Sequence, residues 1–152
     1  MNTRLALFTL AGTIFLGSIF MFSQFRADVN KPEIILKLPN KDIPLMVVNT
    51  RESKTRGLGG MDSLLEDSAM IFIFNEADMY GIWMKDMKFP IDILWLDENY
   101  KINYIESNIS PLTYPKVFIP PTNSMYILEA NAGFAENNSL KIGKVLNFSQ
   151  KL

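Results

Sequence analysis

The chain has neither cysteine nor histidine among its 152 residues. That double absence excludes thiol nucleophiles, disulfides, imidazole bases and the usual zinc, iron and haem ligand sets. No Ser–His–Asp or Cys–His constellation can be assembled, so any acid–base chemistry would fall to Asp, Glu, Lys or Tyr. Lack of Cys fits either redox compartment and does not locate the protein. Excess positive charge is missing too. The 15 Lys and Arg face 16 Asp and Glu, and setting aside Arg4 and Arg26 leaves 13 against 16, near −3. Without a basic face or run, neither nucleic acid nor a polybasic contact with anionic lipid is expected. No cofactor is expected either. The one metal reading open to such a composition is a thioether site for Cu(I) built from Met79, Met84 and Met87, with Met61 and Met70 nearby. Methionine filling an irregular core is the plainer account, and no metal site is assigned.

What is present begins with residues 5–25, a charge-free run of Leu, Ile, Phe, Ala and Gly. A spanning helix needs roughly 20 such residues. The run is longer than the roughly 7–15 residues of a cleavable signal core, and the small-residue positions of a cleavage site are poorly filled. An uncleaved signal anchor over residues 1–26 is therefore expected, with a cleaved signal and a buried globular helix as the alternatives. Orientation divides the arguments. Arg26, Lys31, Lys37 and Lys41 follow the run and only Arg4 precedes it, which by the positive-inside count would keep the domain inside. A short basic start before a long apolar core is how export signals begin, and on that ground a single-pass membrane protein with an extracytoplasmic domain is expected. Residues 27–32, polar and ending in Pro32, read as a short tether, and residues 33–152 as one domain.

Within that domain, residues 33–38 and 43–48 are strand-like and flank the turn cluster Pro39-Asn40-Lys41-Asp42, which predicts a hairpin. Asn49 or Thr50 can cap a short helix over 51–56, with Gly57 to end it. Strands are expected at 70–74, 80–85, 91–96, 101–105, 125–128 and 141–148, and a second short helix at 130–137. Residues 91–96 and 101–105 are expected to form a hairpin. Residues 107–123, with Pro111, Pro115, Pro120 and Pro121, read as an irregular loop with an edge strand near 117–119. The expected fold is mainly β (α+β by count): a small curled or barrel-like antiparallel sheet with one or two short helices.

Several runs carry a resemblance when taken together. Thr55-Arg56-Gly57-Leu58-Gly59-Gly60-Met61 is followed by Ala69-Met70-Ile71-Phe72-Ile73-Phe74. Then come Ile82-Trp83-Met84-Lys85-Asp86-Met87 and Pro90-Ile91-Asp92-Ile93-Leu94-Trp95-Leu96-Asp97. Tyr126-Ile127-Leu128-Glu129, Ala132-Gly133 and Ile142-Gly143 follow. In this order and spacing, residues 31–148 resemble the prokaryotic "domain of unknown function one hundred and ninety-two" family. The resemblance implies a compact β-rich domain, often exported or behind an N-terminal helix, and implies no activity. The family pattern usually has Asn where Asp86 stands and Asp near Lys144.

The candidate binding residues are Arg56, Trp83, Lys85, Asp86 and Asp92. Asp86 and Asp92 could meet in a cleft as an acid–base pair. The competing structural reading pairs Arg56 with Asp92 to pin the helix end to the sheet. Trp83, with Tyr80, Trp95, Tyr100 and Tyr104, could offer an exposed stacking platform or fill the core. Sequons beginning at Asn108, Asn137 and Asn147 matter only if the source glycosylates exported proteins. No catalytic residue is assigned. The expected function is a non-catalytic module of the cell envelope that binds a glycan or a protein partner, with residues 110–123 forming one wall of its site. A carboxylate-dependent hydrolase of envelope carbohydrate and a structural or immunity-type partner protein are the alternatives.

Overall fold

The computed structural model describes residues 34–152. The expected anchor and tether lie outside the described residues. Among the described residues, no helix is long and apolar enough to cross a membrane.

The elements, in chain order, are β1 (Ile34–Lys37), β2 (Asp42–Val48), α1 (Arg51–Arg56), β3 (Ala69–Asp78), β4 (Ile82–Trp83), β5 (Ile91–Leu96), β6 (Ile102–Ile109), β7 (Val117–Phe118), β8 (Ser124–Asn131), α2 (Phe134–Asn137) and β9 (Asn147–Phe148). Seven strands form one curled, half-barrel sheet in the order β6-β5-β8-β3-β2-β1-β9, and β4 and β7 form a separate pair. The expected hairpins β1–β2 and β5–β6 are present.

One departure from an all-antiparallel sheet is the β2–β3 pair, which is parallel. Parallel neighbours need a crossover of a dozen or more residues. The segment carrying α1 supplies it. Thr50 caps this helix: its side chain accepts from the Ser53 amide at 3.2 Å, and Ser53 Oγ accepts from the Thr50 amide at 3.1 Å. Gly57 ends it at φ 50°, a conformation that costs a side-chain-bearing residue about 1–2 kcal/mol.

Two strand expectations give way to irregular backbone. The expected strand at 80–85 shrinks to Ile82–Trp83, and the one at 141–148 to Asn147–Phe148. Met84 and Leu146 of these segments are buried while Ile142 and Val145 are exposed, so apolar content there does not report ladder pairing. The strand expected at 70–74 instead runs on through a bulge to Asp78, where it regains pairing with Ser124.

Strand alternation divides the core in two. Leu36, Ile43, Leu45, Ile71, Leu94, Tyr126 and Leu128 pack on one face with Phe134 and Leu140. Met70, Phe72, Ile91, Ile93, Trp95 and Ile127 pack on the other with Leu58, Met84 and Phe118. All six residues of β5 are buried, because both its faces are covered.

Asp92 sits in that strand with no exposed surface. Its Oδ1 accepts from the amides of Asn108 (2.8 Å) and Gly133 (3.2 Å), and its Oδ2 from that of Ala135 (2.9 Å). One carboxylate thus joins β5 to the left-handed Asn108 of β6 and to the first turn of α2, whose own cap residue Gly133 has no side chain to offer. Among the described residues no ion pair joins Arg56 to Asp92; the expected pairing gives way to this clamp. Asp92→Ala would strand three amide donors. We expect it to lower stability by roughly 3 kcal/mol or more, a fall in midpoint of roughly 10 °C in a thermal melt. Arg56→Ala, at an exposed and unpaired side chain, should stay within about 0.5 kcal/mol of the parent.

Candidate functional site

The residues that build the site follow from the end of α1. The turn Gly57-Leu58-Gly59-Gly60 folds the chain back onto the segment after β4. The Gly60 amide donates to the Asp86 carbonyl at 2.8 Å. A Cβ on Gly59 would lie 2.8 Å from the Arg56 carbonyl oxygen and 3.1 Å from that of Lys85, so only glycine permits this approach. Leu58 and Met84, both buried, anchor the two segments in the core beneath.

Between α1, the sheet and this segment lies a cavity of about 560 Å³. Its wall is aromatic. Phe74 and Tyr80 stack with ring centroids 3.6 Å apart and planes 10° from parallel. Tyr80 is fixed further: its hydroxyl donates to the Glu76 carbonyl at 2.8 Å, and its own carbonyl accepts from Trp95 Nε1 at 2.9 Å. Trp83 stands at the mouth, 45% exposed, with its ring edge-on to Tyr114 at 6.5 Å. The two tryptophans therefore divide the expected alternatives: Trp95 is wholly buried core, and Trp83 is open to solvent.

The rim is cationic. Arg51, Lys54, Arg56 and Lys85 all line the cavity. Among the described residues none of them is held in an ion pair. Lys54 lies over the Phe74 ring at 4.4 Å, and partial burial lowers its ammonium pKa. Four cations outside any ion pair, gathered on an acidic domain, form a local field that favours an anion. A second cavity of about 620 Å³ adjoins the first, sharing Arg51, Thr55, Arg56 and Lys85, and adds Glu52 and Asp86.

At the floor of the first cavity is Glu129, on β8 between Met70 of β3 and Ile93 of β5. It is buried, and among the described residues its Oε2 is the one buried side-chain polar atom without a hydrogen-bond partner. Burial alone pushes its carboxyl up to about 8. At neutral pH it is therefore mainly the uncharged acid. The missing side chain of Gly57 faces it: a Cβ there would lie 3.5 Å from Oε2 and 3.2 Å from Cζ of Phe72.

Of the residues expected from sequence, Arg56, Trp83 and Lys85 line the first cavity, and Asp86 lines the second with Arg56 and Lys85. Asp92 lines neither; its carboxylate is spent on backbone amides, and it shares no cleft with Asp86. Asp86 adopts a left-handed backbone, φ 58°. Asp is one of the few side-chain-bearing residues that tolerate that conformation, so it keeps the turn. The proline-rich loop backs the site without lining it. Its β7 pairs with β4 through Ile82–Phe118 and Trp83–Val117, and none of its residues borders the cavity. Met70 and Met84 are buried and Met61 and Met87 pack against the same core, as core filler does, whereas Met79 is exposed. Among the described residues no cluster of acidic side chains could hold a metal ion.

Sequence reasoning missed Glu129, Arg51 and Lys54. The available signal for Glu129 was a single carboxylate within an otherwise apolar strand, a pattern that marks either an edge or a buried function.

The Glu129 environment sets a pH dependence of folding. In the unfolded chain the carboxyl ionises near its ordinary 4.5, whereas the folded chain holds the proton to about 8. The stabilisation is full below the lower value and is lost as pH rises through the upper one. Unfolding free energy should therefore fall by up to about 1.4 kcal/mol per pH unit across that window. Glu129→Gln should flatten this slope in denaturant titrations at a series of pH values. Equal slopes in the two proteins would disprove the assignment.

Among the solved structures that share the fold are the following two. A protein proposed to be a transcription regulator from Sinorhizobium meliloti 1021 superposes with a TM-score of 0.70 at 22% identity, covering 77% of this chain and 92% of that one. A protein of unknown function from Novosphingobium aromaticivorans DSM 12444 gives 0.67 at 21% identity, covering 76% and 83%. At such identity the likeness concerns the fold alone. Among curated proteins none matches. The profile of the DUF192 family, described as "Uncharacterized ACR", matches residues 34–148, and the chain belongs to that family.

Proposed function

We propose that this chain is a membrane-tethered, extracytoplasmic binding module of the cell envelope that takes a glycan, without catalysis, in the cavity between α1 and β8. The observation that carries the reading is the cavity's composition: a fixed aromatic wall, an exposed indole at the mouth and a cationic rim that, among the described residues, is in no ion pair. Aromatic faces receive the C–H faces of sugar rings, and rigid aromatics lose little conformational entropy when they do so. The adjoining second cavity gives room for more than one sugar unit. The charge-free run at residues 5–25 supports the tether, and the basic start before it supports export.

The hydrolase alternative required Asp86 and Asp92 in one cleft and loses its motive with Asp92 in the fold clamp. The partner-protein alternative keeps one: Trp83, Tyr114, Val117 and Ile119 are exposed on and beside the β4–β7 pair.

Thermal unfolding against a panel of peptidoglycan fragments and neutral glycans should show a raised midpoint with one glycan class. Trp83→Ala should weaken that binding by about tenfold or more, which corresponds to about 1.4 kcal/mol. A panel that leaves the midpoint unmoved throughout would rule the glycan reading out. The tether reading expects the chain to remain in the membrane pellet after alkaline washing, and the domain to be digested by protease added from the outer face. Release by the wash would refute it.

A further inference from the structure

Two features of the cavity have no use within the fold. The Glu129 carboxyl is buried at the floor with an unpartnered oxygen. The rim cations are in no ion pair among the described residues. An unsatisfied buried polar group costs about 1–3 kcal/mol, and an isolated carboxylate in the same place would cost more. A ligand that hydrogen-bonds Glu129 removes that penalty, and one that also brings negative charge to the rim uses both features.

Building on the glycan-binding reading, we propose that Glu129 in its uncharged form is the recognition group of the cavity and that the ligand is a saccharide carrying a carboxylate. The carboxylate meets Arg56 and Lys85 at the rim, a sugar face lies along the Tyr80 and Trp83 side, and a ligand oxygen accepts the Glu129 proton at the floor. Ionised, Glu129 has no proton to donate and repels an anionic ligand. Binding and protonation are therefore linked, and binding favours the protonated protein.

The titratable groups around Glu129 define what a pH profile reads. From α1 come Arg51, Lys54 and Arg56, and from the segment around β4 come Tyr80 and Lys85. Its ladder neighbours Met70 and Ile93 carry no titratable group. Arginine stays charged throughout. Burial, helped by Asp78 and Glu76, raises the Tyr80 phenol, so it stays protonated. Lys54, lowered by burial, is the second group able to weaken anion binding as pH rises. A Glu129 variant separates the two.

The test is calorimetric titration of the full-length chain in detergent with glucuronate and N-acetylmuramate, and with glucose and N-acetylglucosamine as neutral counterparts. At about pH 6 the acidic sugars should bind at least roughly tenfold more tightly than the neutral ones. Their affinity should fall by up to about tenfold per pH unit above about 8. Glu129→Gln, whose amide still donates, should keep the affinity measured at low pH and lose that fall, any residual slope belonging to Lys54. Glu129→Met should bind weakly at every pH while its melting midpoint stays native or higher. An unchanged pH slope in the Gln variant, or native affinity in the Met variant, would overturn the role of Glu129. Neutral sugars binding as well as acidic ones would overturn the ligand class and leave the glycan reading standing. No binding by any of the four sugars would overturn both.

Discussion

The Asp92 carboxylate is the interaction on which the rest of the architecture depends. It lies in β5, the strand whose every residue is buried, and gathers three amides from β6 and from the turn into α2. A carboxylate in such a place would ordinarily incur a large desolvation penalty. Here the donors are backbone groups that have no other partner, so carboxylate and amides satisfy one another. The bulge at Asn108 and the short α2 are local features that neither element could hold alone.

Glu129 makes the instructive contrast. In the β5–β8 ladder Asp92 stands opposite Ala130, and Ile93 stands opposite Glu129. The two carboxyls are therefore one register step apart and, by strand alternation, on opposite faces of the same sheet. One is saturated with hydrogen bonds, and the other has a free oxygen at a cavity floor. Burial is comparable, so the difference lies in partners. Natural folds leave few buried polar groups unsatisfied, and those that remain call for an explanation outside the fold. Ligand recognition supplies one for Glu129, and none is needed for Asp92.

The cavity also shows how short elements can make a defined site. α1 has six residues and buries none of them. Its position comes from the capping box at Thr50, the Gly57 stop and the Leu58 anchor that follows. Its uncovered surface leaves Arg51, Lys54 and Arg56 free to face the cavity. On the other side, Tyr80 is held by stacking, by its hydroxyl and by the Trp95 indole. A rigid wall opposite flexible cations suits a ligand with one flat apolar face and one charged group.

Composition alone removed whole classes of chemistry, because side chains that are absent cannot be supplied by folding. Local pattern then determined the two hairpins, the capped helix and its glycine stop, since these depend on neighbours a few residues apart. It also reached Arg56, Trp83 and Lys85 as residues of interest, through their place in a polar and an aromatic grouping of side chains. Tertiary structure decided the rest. The parallel β2–β3 pair, the choice of Trp95 for the core and Trp83 for the mouth, and the separation of Asp92 from Asp86 all depend on which strands become neighbours. A carboxyl in an apolar strand looks the same in sequence whether it clamps backbone amides or waits at a cavity floor. Only the partners brought by the fold distinguish Asp92 from Glu129, because hydrogen bonding and desolvation are set by what surrounds a group in space.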